Sequence, residues 1–156
     1  MTLTEKVSGF VAKVFSPKKN QKGKTLQELV PFSDEELVNF HQEGAERFNK
    51  GLYDDACDIF LFLTQVNPKV GSFWYGLGMA EEKANHIQNA LNAFILAAEL
   101  ETSTLVPYLH AATCFLSLDK VKEAKEFLQH ALERTKEEHD LLKDKHLVEK
   151  MLRSIK

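Results

Sequence analysis

The sequence predicts an all-α fold of three tandem helical hairpins, preceded by a helical arm and closed by a capping helix. Two observations carry that expectation. Ala56, Ala90 and Ala124 recur at intervals of 34 residues, each inside the same frame of small, aromatic and apolar residues. At the two ends of the repeated stretch, Ser33 with Glu36 and Thr135 with Glu138 spell capping boxes, the reciprocal side-chain pairs that start helices.

In the first copy the frame is Gly44, Gly51, Tyr53, Ala56, Phe60 and Pro68. The second reads Trp74, Leu77, Gly78, Ile87, Ala90, Phe94, Ala97, and the third Tyr108, Ala111, Ala112, Val121, Ala124, Leu128, Ala131. Asn85 and Asp119 stand where the first copy has the turn glycine, because Asn and Asp tolerate left-handed backbone angles. A helical hairpin of this period is the tetratricopeptide unit. Two antiparallel helices cross closely only where one residue lacks bulk, which Gly44, Gly78 and Ala112 supply on the first helices and the three alanines on the second. Phe60, Trp74, Phe94, Tyr108 and Leu128 then fill the space between hairpins, so these frame residues are read as structural.

Taken in order, residues 3–15 place Leu3, Val7, Phe10, Val11, Val14 and Phe15 on one face of an amphipathic helix. Residues 16–24 hold a proline, a glycine and four lysines without one apolar residue, a flexible linker. Residues 25–30 form a short helical turn before Pro31. The apolar face of the arm needs a partner surface, and a homodimer is favoured. Repeat helices are expected at about 34–50, 53–66, 70–84, 87–100, 104–117 and 121–134. From Thr135 a last helix runs to about Ile155, with Leu141, Val148, Met151, Leu152 and Ile155 as its apolar stripe. Asp140, Lys143, Asp144, Lys145, Glu149, Lys150 and Arg153 form its solvated face, as suits the end of a solenoid. The chain thus divides into an arm and linker at 1–32, repeats within 33–136 (about 37–70, 71–104 and 105–136) and a capping helix at 137–156.

Composition excludes several functions. The 156 residues are 44% apolar and 28% charged with a formal net charge of −3, an ordinary soluble chain and not a nucleic-acid binder by charge. No apolar run approaches the roughly 20 residues needed to cross a bilayer, so no stable membrane insertion is expected. The first residues mix Glu5, Lys6 and Lys13 into their apolar ones, unlike a signal peptide. Cys57 and Cys114 fall on different helices and are read as reduced thiols in a cytosol. There is no glycine-rich phosphate loop, HExxH, CxxC or GxSxG. His110 and Cys114 lie four apart on one helix, a two-ligand metal face with no second pair to complete it. The acidic and basic runs at Glu81–Lys83 and Glu133–Asp140 are solvated surface. An enzyme is not expected, and no catalytic residue, metal or cofactor is assigned.

A stack of such hairpins curves, and the first helix of each pair lines the inside. Its inward positions are Val38, His41, Ala45 and Phe48, then Ser72, Tyr75, Met79 and Glu82, then Val106, Leu109, Thr113 and Leu116. That set is mostly apolar, aromatic and small, which predicts a groove for a peptide, with Glu82 as a rim charge. For Leu109 and Leu116 the alternative is that the last helix folds back and covers them. Co-chaperones that clamp an acidic C-terminus place Lys, Asn and Arg where this chain has His41, Ala45, Gly76, Val106 and His110. An anionic tail is therefore a poor ligand here, and an apolar segment a better one.

The stretches FNKGLYDDACDIF (48–60), FWYGLGMAEE (73–82) and PYLHAATCFL (107–116), with the leading arm and closing helix, resemble the class II chaperones of bacterial type III secretion. The likeness covers about residues 30–135, and the third stretch is its most specific part. The resemblance implies a chaperone of the bacterial cytosol that holds hydrophobic secreted translocator proteins, often through a Pro-x-Leu-x-x-Pro segment in the groove. It also implies dimer contacts through the arm, falling here on Leu3, Val7, Phe10, Val11 and Val14. The groove role falls on His41, Ala45, Phe48, Tyr53, Tyr75, Met79 and Leu109, with His41 and Ala45 departing from the aromatic residues expected there. A generic repeat adaptor that scaffolds a complex is the competing expectation.

Overall fold

The computed structural model describes residues 32–156. The arm (Leu3, Val7, Phe10, Val11, Val14), the linker and the turn expected at 25–30 lie outside the described residues. Seven α-helices and no strand occur among those described: α1 Asp34–Asn49, α2 Tyr53–Val66, α3 Gly71–Lys83, α4 Ile87–Leu100, α5 Val106–Ser117, α6 Val121–Arg134 and α7 Lys145–Ser154. A 3-10 turn at His139–Asp144 precedes α7. Each helix packs chiefly on the next in sequence, and α1 touches α3, so the hairpins stack as the repeat frame requires.

The three hairpin turns are built alike. Gly51, Asn85 and Asp119 have positive φ of 77°, 65° and 59°, at equivalent places in the frame. After each, the next amide reaches back five residues to a carbonyl, Leu52 to Arg47 at 2.9 Å, His86 to Glu81 at 2.8 Å and Lys120 to Phe115 at 2.9 Å. This is the bond that closes a helix through a left-handed residue.

Ala56, Ala90 and Ala124 are fully buried at the crossings. A methyl group at Gly44 would sit 2.9 Å from the Phe60 ring, and one at Gly78 2.7 Å from the Phe94 ring. Phe60 also packs on Gly76 of the next hairpin, so its ring serves two first helices. Trp74 packs on the first core cluster while its indole donates to the Pro68 carbonyl at 2.8 Å.

At the start of α1 the Ser33 hydroxyl accepts from the Glu36 amide at 3.2 Å and the Glu36 carboxylate accepts from the Ser33 amide at 2.8 Å, the capping box expected there. The second expected box, Thr135 with Glu138, does not form. Thr135 ends α6 in helical conformation, with its hydroxyl donating to the Leu132 carbonyl at 2.6 Å. The Glu138 carboxylate is taken by Arg134 at 2.8 Å. A threonine hydroxyl in a last turn bonds back to its own helix as readily as it caps a new one, and the guanidinium outcompetes an amide for the carboxylate.

Arg134 also donates to the Ala98 and Glu101 carbonyls at 2.6 and 3.1 Å and lies over the Tyr108 ring. It thereby ties the end of α4, the third hairpin and the closing segment together. Leu141 and Val148 of that segment are fully buried against the third repeat, with Met151, Leu152 and Ile155 half-buried beside them. Asp144, expected on the solvated face, instead accepts from the Thr104 hydroxyl at 2.6 Å and the Leu105 amide at 2.9 Å. A carboxylate 40 residues downstream thus caps α5, which begins at Val106 and not at 104.

Candidate functional site

The inward positions of the first helices fall into rows at the repeat spacing: His41, Tyr75 and Leu109; Ala45, Met79 and Thr113; Phe48, Glu82 and Leu116. His41 on α1 lies edge-on to Phe60 at 5.4 Å and 6.0 Å from Phe73 of α3. Tyr75 on α3 lies 5.9 Å from Phe94 and 5.7 Å from His110 of α5, its hydroxyl 3.3 Å from His110 Nε2. Successive first helices therefore stand side by side and meet through these rings.

The seven residues assigned to the groove are all half-buried, and the structure distributes them over three patches. Phe48 and Tyr53 form an edge-to-face pair at 5.4 Å at the far end of α1, one helical turn beyond Ala45, with His41 further back on the same helix. Tyr75 and Met79 pack on the middle cluster around Phe94 and Cys114. Leu109 joins the third cluster, and Leu116 with it, beside Leu141 and Val148 of the closing segment. Val38 and Thr113 are exposed.

His110 belongs to the middle patch. Its ring stacks on Phe94 at 4.9 Å and 18°, and burial pushes its pKa below the ordinary histidine value, against a smaller opposing pull from Glu82. The imidazole is neutral at neutral pH, so His110 supplies no cation to a carboxylate clamp. The same burial, with Glu82, raises Tyr75, whose hydroxyl stays protonated. The frame offered a signal for this contact: His110 is the third-repeat equivalent of Gly76, and both receive the aromatic ring of the preceding second helix.

The thiols are not nucleophiles in this setting. Burial, then Glu81, Asp54 and Asp58, pushes Cys57 up to about 12, and burial with Glu82 pushes Cys114 up to about 11. His110 and Cys114 gain no companions for an ion, since no group of three or more His, Cys, Asp or Glu gathers among the described residues. Likewise, none of the described helices is long and apolar enough to cross a membrane.

No protein-family model and no curated protein sequence matches the chain. Solved structures do. The type III secretion translocator chaperone SycD of Yersinia enterocolitica is similar with a TM-score of 0.73 at 23% identity, over 85% of this chain and 99% of that one. PcrH, known from Pseudomonas aeruginosa, in complex with the chaperone binding region of PopD gives 0.69 at 21% identity, over 80% and 93%. A type III secretion complex from Aeromonas hydrophila gives 0.74 at 20% identity, over 97% and 95%. These likenesses establish the shared fold, a stack of tetratricopeptide-like hairpins with a closing helix.

Proposed function

We propose that this chain is a chaperone of the translocator class in bacterial type III secretion, acting in the cytosol without catalysis or cofactor. It holds an extended apolar segment of a hydrophobic secreted protein along α1 and α3. The supporting observation is the likeness, over 80% or more of this chain, to SycD and to PcrH bound to a segment of PopD, combined with half-buried aromatic residues on the equivalent first helices. A translocator's membrane-seeking segments aggregate when free. Binding an ordered groove lowers the concentration of the exposed chain, so protection needs no energy source. The arm face at Leu3, Val7, Phe10, Val11 and Val14 makes a homodimer contact, and the chain divides into an arm and linker at 1–32, repeats at 33–136 and a capping segment at 137–156.

The test is peptide affinity and client co-purification for Phe48→Ala and Tyr75→Ala beside a circular-dichroism control. Loss of a central aromatic anchor costs about 2 kcal/mol or more, about thirtyfold in affinity. Unchanged binding by the folded double variant would place the client elsewhere.

A further inference from the structure

We propose that the segment held in the groove carries a lysine or arginine, and that Glu82 is the residue that selects it. The inference rests on the groove reading above and adds the chemistry of the ligand. In the row Phe48, Glu82, Leu116 the middle repeat replaces an apolar side chain with a carboxylate. A carboxylate at such a place puts a negative charge on an otherwise apolar wall.

No described residue neutralises it fully. The Glu82 side chain is 25% exposed, which sets it inside the wall and not on the rim. Its nearest basic group is His110 Nδ1 at 3.7 Å, beyond hydrogen-bond length, on a ring stacked against Phe94 and held to Tyr75. That ring is neutral at neutral pH, as its burial requires. No lysine or arginine pairs with Glu82 among the described residues. The arginine of α1, Arg47, is already engaged by Glu43 at 2.8 Å and Asp55 at 3.4 Å. The middle of the groove therefore presents Tyr75 and Met79 as apolar surface beside one negative charge, which complements an apolar segment with a single cation.

Short fluorescein-labelled synthetic peptides of the pattern Pro-x-Leu-x-x-Pro, with Lys, Gln or Glu at each x in turn, provide the test by fluorescence anisotropy at neutral pH. At one x the Lys peptide should bind about three- to tenfold tighter than the Gln peptide, as for a partly desolvated ion pair. The Glu peptide should be weakest, and Glu82→Gln should erase the preference for Lys over Gln. Equal affinity of Lys and Gln peptides at every x, or a Lys preference that survives Glu82→Gln, overturns the inference and leaves the groove standing. Failure of every peptide to bind, or binding insensitive to both Phe48→Ala and Tyr75→Ala, overturns the groove reading and this inference with it.

Discussion

Replacing Gly78 with alanine sets two effects against each other. Alanine is the better helix former, by about 1 kcal/mol in a helix interior. Its methyl group, however, would lie 2.7 Å from Cδ1 and Cε1 of Phe94 and 3.0 Å from Cγ. The ring has nowhere to retreat, being fully buried with His110 stacked on it at 4.9 Å. Overpacking costs about 1–3 kcal/mol, and against a ring that cannot retreat the upper part of that range applies, about 2–3 kcal/mol, so Gly78→Ala should lose about 1–2 kcal/mol net. For a chain of this size that lowers the thermal midpoint by about 2–8 °C. Displacing Phe94 also moves His110 and with it Tyr75, so peptide affinity should fall at temperatures where the variant is fully folded. Gly51→Ala is the control. Its methyl meets nothing within 4 Å, but φ of +77° costs an L-residue about 1–2 kcal/mol, so stability should drop with no buried ring displaced. Urea unfolding and anisotropy titration of both variants give the four numbers. A Gly78→Ala midpoint at or above the parent's would mean that the close crossing of α3 and α4 is not where it has been placed.

Asp144→Ala removes the acceptor for Thr104 and Leu105 at the start of α5 and should cost about 1–2 kcal/mol in urea unfolding, with Asp144→Asn milder because one acceptor oxygen survives. The two thiols should resist a disulfide reagent at pH 8 in the folded chain, since values of about 12 and about 11 leave almost no thiolate there, and both should react at once in denaturant. Prompt labelling of either one in the native state would refute the burial assigned to it.

The repeat frame was legible because close helix crossing admits few residue types. Gly44, Gly78 and the three alanines are small for a steric reason that does not depend on distant sequence, and Gly51, Asn85 and Asp119 each supply a backbone angle that few residues tolerate. The closing segment was less legible because its local signals compete with tertiary ones. Thr135 and Glu138 have the spacing of a helix start, but Arg134, one residue earlier, claims the carboxylate for an arrangement that also involves Ala98, Glu101 and Tyr108. Asp144 looks like surface in any local window, and its role depends on Thr104, which no periodicity relates to it. The candidate site was legible as rows of positions, and its chemistry was not. The burial of His110 depends on Phe94 reaching across from the preceding hairpin, which decides both its protonation and what Glu82 faces.

The three patches limit what a ligand can be. On the third repeat, Leu109 and Leu116 pack half-buried into the cluster completed by the closing segment, as Phe48 does on the first core cluster and Tyr75 and Met79 do on the middle one. Neighbouring helices lie about 8–10 Å apart and an extended chain advances about 3.3 Å per residue, so a segment crossing from one first helix to the next does so in about three residues. Side chains of an extended strand alternate in direction, and a segment twisted as polyproline repeats every third residue instead. On the proposed groove reading, a segment anchored at Phe48 and Tyr53 comes within that distance to the level of Met79, which lies about one helical turn back from the row of Phe48, and Tyr75 follows one turn further back. The intervening positions then carry selectivity rather than bulk affinity, and the one charged wall residue they pass on α3 is Glu82.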